Sequence, residues 1–202
     1  ILGGFSGKAG AVVGYQSKGR SLMRGKPRLR TSPPTPKELI NREKFAYVQV
    51  WLQPLLEFLR VGFQGYAANF EGFVAAKSYN SKNALIGIPS YFQINPALAL
   101  VTFGDMSQAT TATAVAESGN VISFSWTGGD FVYDDRAMLV AYDITGERAK
   151  FNTASERAKE GFAKLKMDES FTGKQVDVYL AFVSEDRKRR SKSQYLGLVT
   201  VL

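Results

Sequence analysis

The chain has 202 residues, of which 45% are apolar and 22% are charged, as in ordinary globular domains, and no apolar run approaches the roughly 20 residues that span a bilayer. It contains no cysteine and no histidine, which excludes disulfides, thiolate nucleophiles, Ser-His-Asp triads and histidine zinc sites within this chain. The net charge is +8, and residues 1–36 contribute seven of these charges because they hold seven Lys or Arg and no acid. Such an asymmetry is typical of an interaction tail on a nearly neutral body.

Residues 1–35 are predicted to form an extended, basic, glycine-rich arm that ends in a proline spacer. Seven glycines interrupt the segment, and because glycine loses much backbone entropy on folding, we expect the arm not to fold alone. Short β-like pieces at 11–15 and 21–24 are expected to become strands where a partner supplies a sheet edge. The prolines of "TSPPTP" (31–36) fix φ and exclude helix before them.

A helical segment with a connector is predicted over residues 36–96. Thr35 is the expected N-cap, with Pro36 at the first helical position and Glu38 three residues after the cap. This spacing predicts a capping box, in which the cap and the acid satisfy each other's backbone N–H groups.

Apolar residues at steps of three and four predict two helices, over about 36–61 and 64–80, or one bent helix over the same residues, with a kink at Pro54. The apolar surface covers more than one face, so we expect part of it to pack on the β domain and part to contact another subunit. The aromatic residues concerned are Phe45, Tyr47, Trp51, Phe58, Phe63, Tyr66, Phe70 and Phe73.

Residues 97–202 are predicted to form an antiparallel β-sandwich, which makes the fold class α+β. Eight strand candidates with a period of two lie between turn residues: "ALALVTF", "TTATAVA", "NVISFSW", "AMLVAYD", "RAKFNT", "FAKLKM", "QVDVYLAFV" and "SQYLGLVTVL". Trp126 and Tyr142 on successive strands, with Tyr179 on a later one, resemble a fibronectin-type-III or immunoglobulin-like sandwich without its disulfide. Such sandwiches serve adhesion, display and scaffolding alike, so the fold alone implies no function.

Four stretches of the sequence together resemble an uncharacterised bacterial family, a domain of unknown function with an N-terminal glycine-rich motif and a C-terminal β domain. They are "ILGGFSGKAGAVVG", "REKFAYVQVWLQPL", "SYNSKNALIG" and "YLGLVTVL". The resemblance covers nearly the whole chain and implies that the glycine-rich arm is a feature of the family. It implies no catalytic residues and no cofactor.

The motifs that suggest chemistry are incomplete. Gly7 and Lys8 are followed by Ala9 where a phosphate-binding loop needs Ser or Thr, and no strand-to-helix pattern surrounds them. The aspartates of "DFVYDD" (130–135) suit Ca²⁺, but their spacing matches no EF-hand loop, so a solvated turn is the favoured interpretation. No pair of carboxylates stands out for acid–base work. We therefore predict a protein that is not an enzyme and needs no cofactor or metal.

The leading hypothesis is a structural subunit that self-assembles into a homo-oligomer or filament. Its arm would add as a strand to a sheet edge of a neighbouring copy, through main-chain hydrogen bonds, while apolar arm residues fill pockets. A head-to-tail contact of this kind gives a ring if the rotation closes and a filament if it does not. The candidate assembly residues are Leu2, Phe5, Val12, Val13, Tyr15, Leu22 and Met23.

A second hypothesis is a nucleic-acid-binding protein whose basic arm and basic hairpin tip contact phosphates or another acidic surface. The candidate residues are Lys8, Lys18, Arg20, Arg24, Lys26, Arg28 and Arg30 of the arm and Arg187, Lys188, Arg189 and Arg190 of the tip. A third hypothesis, a surface-adhesion or carbohydrate-binding module, rests on the sandwich pattern alone. The location stays open between soluble, particle- or filament-borne and extracellular, with no membrane-integral segment expected.

Overall fold

The computed structural model describes residues 5–17, 19–67 and 70–202, so the candidate residues Leu2 and Lys18 lie outside the described residues. The protein is α+β, with a bent first helix, a second helix and several antiparallel sheets. Residues 1–38 and residues 39–202 form two compact units, each with most of its contacts within itself.

The arm forms a small sheet of its own. Strands β1 (Gly7–Ala9), β2 (Val12–Ser17) and β3 (Arg20–Gly25) pair antiparallel in the order β1-β2-β3. The expectation that this segment pairs only with a partner is therefore wrong. The arm pairs with itself because two glycines form tight turns. Gly10 and Gly19 adopt φ of 60° and 73°, which only glycine takes up readily, and each reverses the direction of the chain.

The predicted capping box is confirmed at the start of the first helix. The backbone N–H of Thr35 donates to Oε2 of Glu38 at 2.7 Å, and the Glu38 N–H donates to the Thr35 hydroxyl at 3.4 Å. Arg30 adds an ion pair to the same carboxylate at 2.7 Å. The cap and the proline spacer thus fix where the helix begins.

The first helix runs as α1 (Pro36–Leu52), a short 3-10 helix (Gln53–Leu55) and α2 (Leu56–Gly62), so the α-helix is interrupted at Pro54, where the kink is predicted. The second helix, α3, spans Gly72–Asn83 and begins later than predicted. The residues in between form turns, with Gly65 at φ of 79° and a hydrogen bond from Tyr66 N–H to the Phe63 carbonyl.

The remaining strands form three antiparallel sheets. β4 (Leu85–Ile88) and β5 (Tyr91–Ile94) form a hairpin that the sequence analysis did not predict. The other strands, seven in number, match seven of the eight candidates. They are β6 (Thr111–Glu117), β7 (Val121–Thr127), β8 (Arg136–Asp143), β9 (Arg148–Asn152), β10 (Phe162–Lys166), β11 (Gln175–Val183) and β12 (Gln194–Thr200). Their orders are β10-β7-β6 and β12-β11-β8-β9.

The eighth candidate, residues 97–103, is not a strand. Its backbone donors bond to side chains, to carbonyls of the preceding turn and to a helix end instead of a neighbouring strand. Leu100 N–H donates to Asn80 Oδ1 at 3.0 Å, and Phe103 N–H donates to the Gly62 carbonyl at 2.9 Å. The apolar alternation here reflects burial beside the helices, which periodicity cannot tell from a strand.

The two central strands of the four-stranded sheet, β8 and β11, are buried on both faces. On one face, Leu139, Leu180 and Phe182 share a core with Ile122 and Phe124 of the three-stranded sheet. Successive residues of a strand point to opposite sides, so the residues of β8 and β11 that alternate with these belong to a second core on the other face. Both strands are therefore nearly continuous in apolar residues instead of alternating.

The helices cover the opposite face of this sheet. Tyr142 and Tyr179 pack there with Leu52 and Phe58. The Tyr142 hydroxyl donates to the Trp51 carbonyl at 2.8 Å, and the two rings meet edge to face at 5.3 Å. The expectation that helix aromatics cover the β domain is confirmed for these buried residues.

Tyr195 gives the fold a dependence on alkaline pH. Burial and a hydrogen bond to Asp177 at 2.6 Å raise the pKa of Tyr195 from 10.0 to about 12. The unfolded chain therefore loses this proton at a lower pH than the folded chain, so stability falls as the pH rises from about 10 to about 12. We expect Tyr195→Phe to reduce that fall, measured by denaturant unfolding at about pH 8 and about pH 11. Equal pH dependence in the variant and the wild type would contradict this assignment.

Candidate interaction surfaces

The arm presents most of its predicted assembly residues to solvent. Phe5, Val12, Tyr15, Leu22 and Met23 are exposed, and Val13 is half-buried. All six residues of β3 are exposed, and within the described residues no strand pairs with the outer edge of β1 or of β3. The arm therefore combines open strand edges with uncovered apolar side chains, the features that natural sheets usually protect.

The arm cations that the structure describes are also exposed. Lys8, Arg20, Arg24, Lys26 and Arg28 form no salt bridge among the described residues. Arg30 differs, because its guanidinium pairs with Glu38 and donates to the Ser32 carbonyl at 2.8 Å. Arg30 thus has a structural role at the helix start.

The predicted basic hairpin tip is largely compensated by acids. Lys188 lies 3.4 Å from Asp186, and Arg189 lies 3.6 Å from Asp105. Hydrogen bonds from the Lys188 backbone N–H and the Ser184 hydroxyl lower the pKa of Asp186 to about 2. The tip therefore adds little positive field to that of the arm.

Arg190 does not extend the basic surface. Only 4% of it is exposed, and its guanidinium donates to the carbonyl oxygens of Gln64 and Arg187. Burial lowers its pKa. Arg187, in contrast, is exposed at the tip, with φ of 55°. Of the four predicted tip residues, Arg190 therefore holds the loop in place instead of facing a ligand.

An apolar groove lies between α1 and α3, which the sequence analysis did not place. Phe45 and Phe70 contribute apolar surface to it, with about half of each side chain exposed, together with Val74. Lysines rim the groove, and none of its lining residues is acidic. The available signal was two aromatics outside the core-facing set, Phe45 on α1 and Phe70 just before α3.

An acidic cleft lies near one end of the two packed sheets. Its volume is about 830 Å³, and it is lined by six acids: Asp105, Asp130, Asp134, Asp135, Glu185 and Asp186. Arg189 is its basic lining residue. Over residues 5–17, 19–67 and 70–202, these carboxylates and the other acids form no group of three or more that could hold a metal ion. The cleft is thus a negatively charged surface.

No helix in the described part of the chain has the length and hydropathy needed to cross a bilayer. No curated protein matches the chain. A family model, described as a family of unknown function (DUF6266), matches residues 4–197 and so spans the arm, the helices and nearly all of the strands. The arm is included in the match, as the resemblance implied. On this match the chain belongs to the DUF6266 family of unknown function.

Proposed function

We propose that the protein is a non-enzymatic structural subunit that self-assembles into a homo-oligomer or filament through its N-terminal arm. The observation that carries this proposal is β3, whose six residues are all exposed and whose outer edge has no strand partner among the described residues. An unprotected edge is a template for main-chain hydrogen bonds with another chain.

The arm sheet changes how strand addition would work. An arm that pairs with itself offers a preformed three-stranded sheet, so a neighbouring copy adds to an edge of that sheet instead of ordering a loose segment. Preorganisation of this kind lowers the entropy cost of association. Tyr15 and Leu22 lie opposite each other on one face and Met23 on the other, so both faces carry apolar contacts.

We further propose that residues 97–202 are a fibronectin-type-III-like or immunoglobulin-like sandwich that serves as the scaffold of the subunit. The support is the division into sheets of three and four antiparallel strands with a shared core. The helices cover the outer face of the four-stranded sheet in such a sandwich. The arm and the loops therefore remain for contacts with other molecules.

Nucleic-acid binding is the second candidate function. It is favoured by the five exposed arm cations without a salt bridge among the described residues, Lys8, Arg20, Arg24, Lys26 and Arg28. It is weakened by the compensated hairpin tip. Binding through phosphates falls steeply with salt, whereas contacts through strands and apolar side chains do not.

The test is the mass of the purified full chain by size-exclusion chromatography with light scattering, at low and at high salt. We expect an assembly that persists in high salt and that the double substitution Leu22→Glu and Met23→Glu converts to monomer. The matched control is Val115→Glu, since Val115 is an exposed valine on β6, outside the arm. A monomeric wild type whose binding to generic DNA or RNA vanishes in high salt would favour the second candidate instead.

A further inference from the structure

The groove between α1 and α3 is an uncovered apolar surface with a defined size. Its volume is about 510 Å³, and Phe45, Phe70 and Val74 are 52%, 50% and 45% exposed. Trp51 of α1 and Ala75 and Ala76 of α3 lie in the core, so the exposed groove residues are not needed to hold the helices on the sheet. Exposed apolar side chains that are grouped in a concave surface suit contact with another molecule.

The charges around the groove restrict what can fill it. Lys44, Lys77 and Lys82 line it, and none of them forms a salt bridge among the described residues. Lys77 is held in place, since its Nζ donates to Gln49 at 2.7 Å and lies 5.5 Å from the centre of the Phe45 ring. The occupant must therefore bring apolar surface together with negative charge.

The loop at 130–135 of the same chain has this chemistry. Val132 and Tyr133 are 69% and 57% exposed, and they lie between Asp130 and Asp134. Val132 also lines the acidic cleft. Asp134 is paired with Arg157 at 3.7 Å, whereas Asp130 forms no salt bridge among the described residues, so Asp130 is the acid that is free to meet a lysine. We call residues 130–134 the acidic knob.

The acidic knob is held in one shape before any contact forms. Val132 N–H donates to Oδ2 of Asp135 at 2.8 Å, and Asp135 N–H donates back to the Val132 carbonyl at 3.3 Å. Arg157 donates to the Tyr133 hydroxyl at 2.7 Å and lies over the Tyr133 ring, 4.1 Å from its centre. A rigid loop loses little entropy on binding.

We propose that the groove receives the acidic knob of a second copy of this chain. The apolar side chains of the knob contact the apolar lining of the groove, and Asp130 and Asp134 face the lysines at its rim. None of the knob residues lines the groove of its own chain, and the two surfaces differ. Unless two copies exchange knobs reciprocally, the contact is head-to-tail and continues into a ring or a filament. This inference rests on the proposed self-assembly but uses the body of the subunit and not the arm.

The first test removes the apolar part of the contact. Val132→Asp is expected to weaken self-association of the full chain at least about tenfold in analytical ultracentrifugation. Val115→Asp is the matched control, since Val115 is also an exposed valine and lies on β6 away from the knob. Thermal unfolding of both variants checks that the fold is kept. Equal association of Val132→Asp and wild type would overturn the inference.

The second test exchanges the charges. One protein carries Lys77→Glu and Lys82→Glu, and the other carries Asp130→Lys and Asp134→Lys. Each alone places like charges at the contact and is expected to associate at least about tenfold more weakly than wild type. Mixed in equal amounts, they pair glutamates with lysines at one contact and keep wild-type charges at the next, so association is restored.

The outcomes separate this inference from the proposed function. If the arm double variant is monomeric while all knob and groove variants assemble as the wild type does, arm-mediated assembly stands and the groove contact is refuted. Loss of association that mixing does not restore also refutes it. A groove filled by an amphiphile instead of a second copy would appear in native mass spectrometry as added mass on a monomer, which is a third refutation.

Discussion

Phe182→Ala is expected to lower the free energy of unfolding by about 3–5 kcal/mol, the usual cost of emptying a buried phenylalanine site. Phe182 is fully buried between the two sheets and touches two other rings, with centroid distances of 5.6 Å to Trp126 and 4.2 Å to Phe131. Removal of this ring leaves a cavity in the core that the two sheets share.

Denaturant unfolding measures this loss, and Phe162→Ala provides the matched control. Phe162 lies on β10 and is 54% exposed, so its truncation is expected to change stability by about 0.5 kcal/mol or less. Similar losses for the two variants would show that the core between the sheets is not packed as described.

Phe58→Ala, on the opposite side of the four-stranded sheet, is also expected to lower the free energy of unfolding by about 3–5 kcal/mol. Phe58 is fully buried on α2, and its ring lies 5.6 Å from that of Phe151 on β9. Phe45→Ala is the control on α1, because Phe45 is 52% exposed and lines the groove. A loss near zero for Phe58→Ala, or a large loss for Phe45→Ala, would contradict the division between core and groove.

The features that depend on neighbouring residues in the chain could be predicted from the sequence. The capping box at Thr35, the helix interruption at Pro54 and seven strands follow from local spacing, turn residues and periodicity. The arm sheet was within reach of the same reasoning, since Gly10 and Gly19 are suitable turn residues. Glycine content alone does not distinguish a loose chain from one with two tight turns, so it favours the wrong prediction here.

The features that depend on distant residues could not be predicted. Arg189 and Arg190 are adjacent and chemically identical, yet one is exposed and the other is buried. The difference is set by Gln64, whose carbonyl accepts from the Arg190 guanidinium across 126 positions of sequence. The groove likewise arises only when α1 and α3 pack side by side. The periodicity of the sequence therefore identifies the aromatic residues but does not predict that they stay exposed.

The double burial of β8 also fixes its register from two directions. Toward the three-stranded sheet this strand offers Ala137 and Ala141, and toward the helices it offers Met138 and Tyr142. Moving the strand by one residue would exchange these sets, so that a tyrosine would crowd space shaped for an alanine on one face and an alanine would leave a cavity on the other. Gain or loss of a single residue is therefore barred within this strand, and changes in chain length are confined to the loops that flank it.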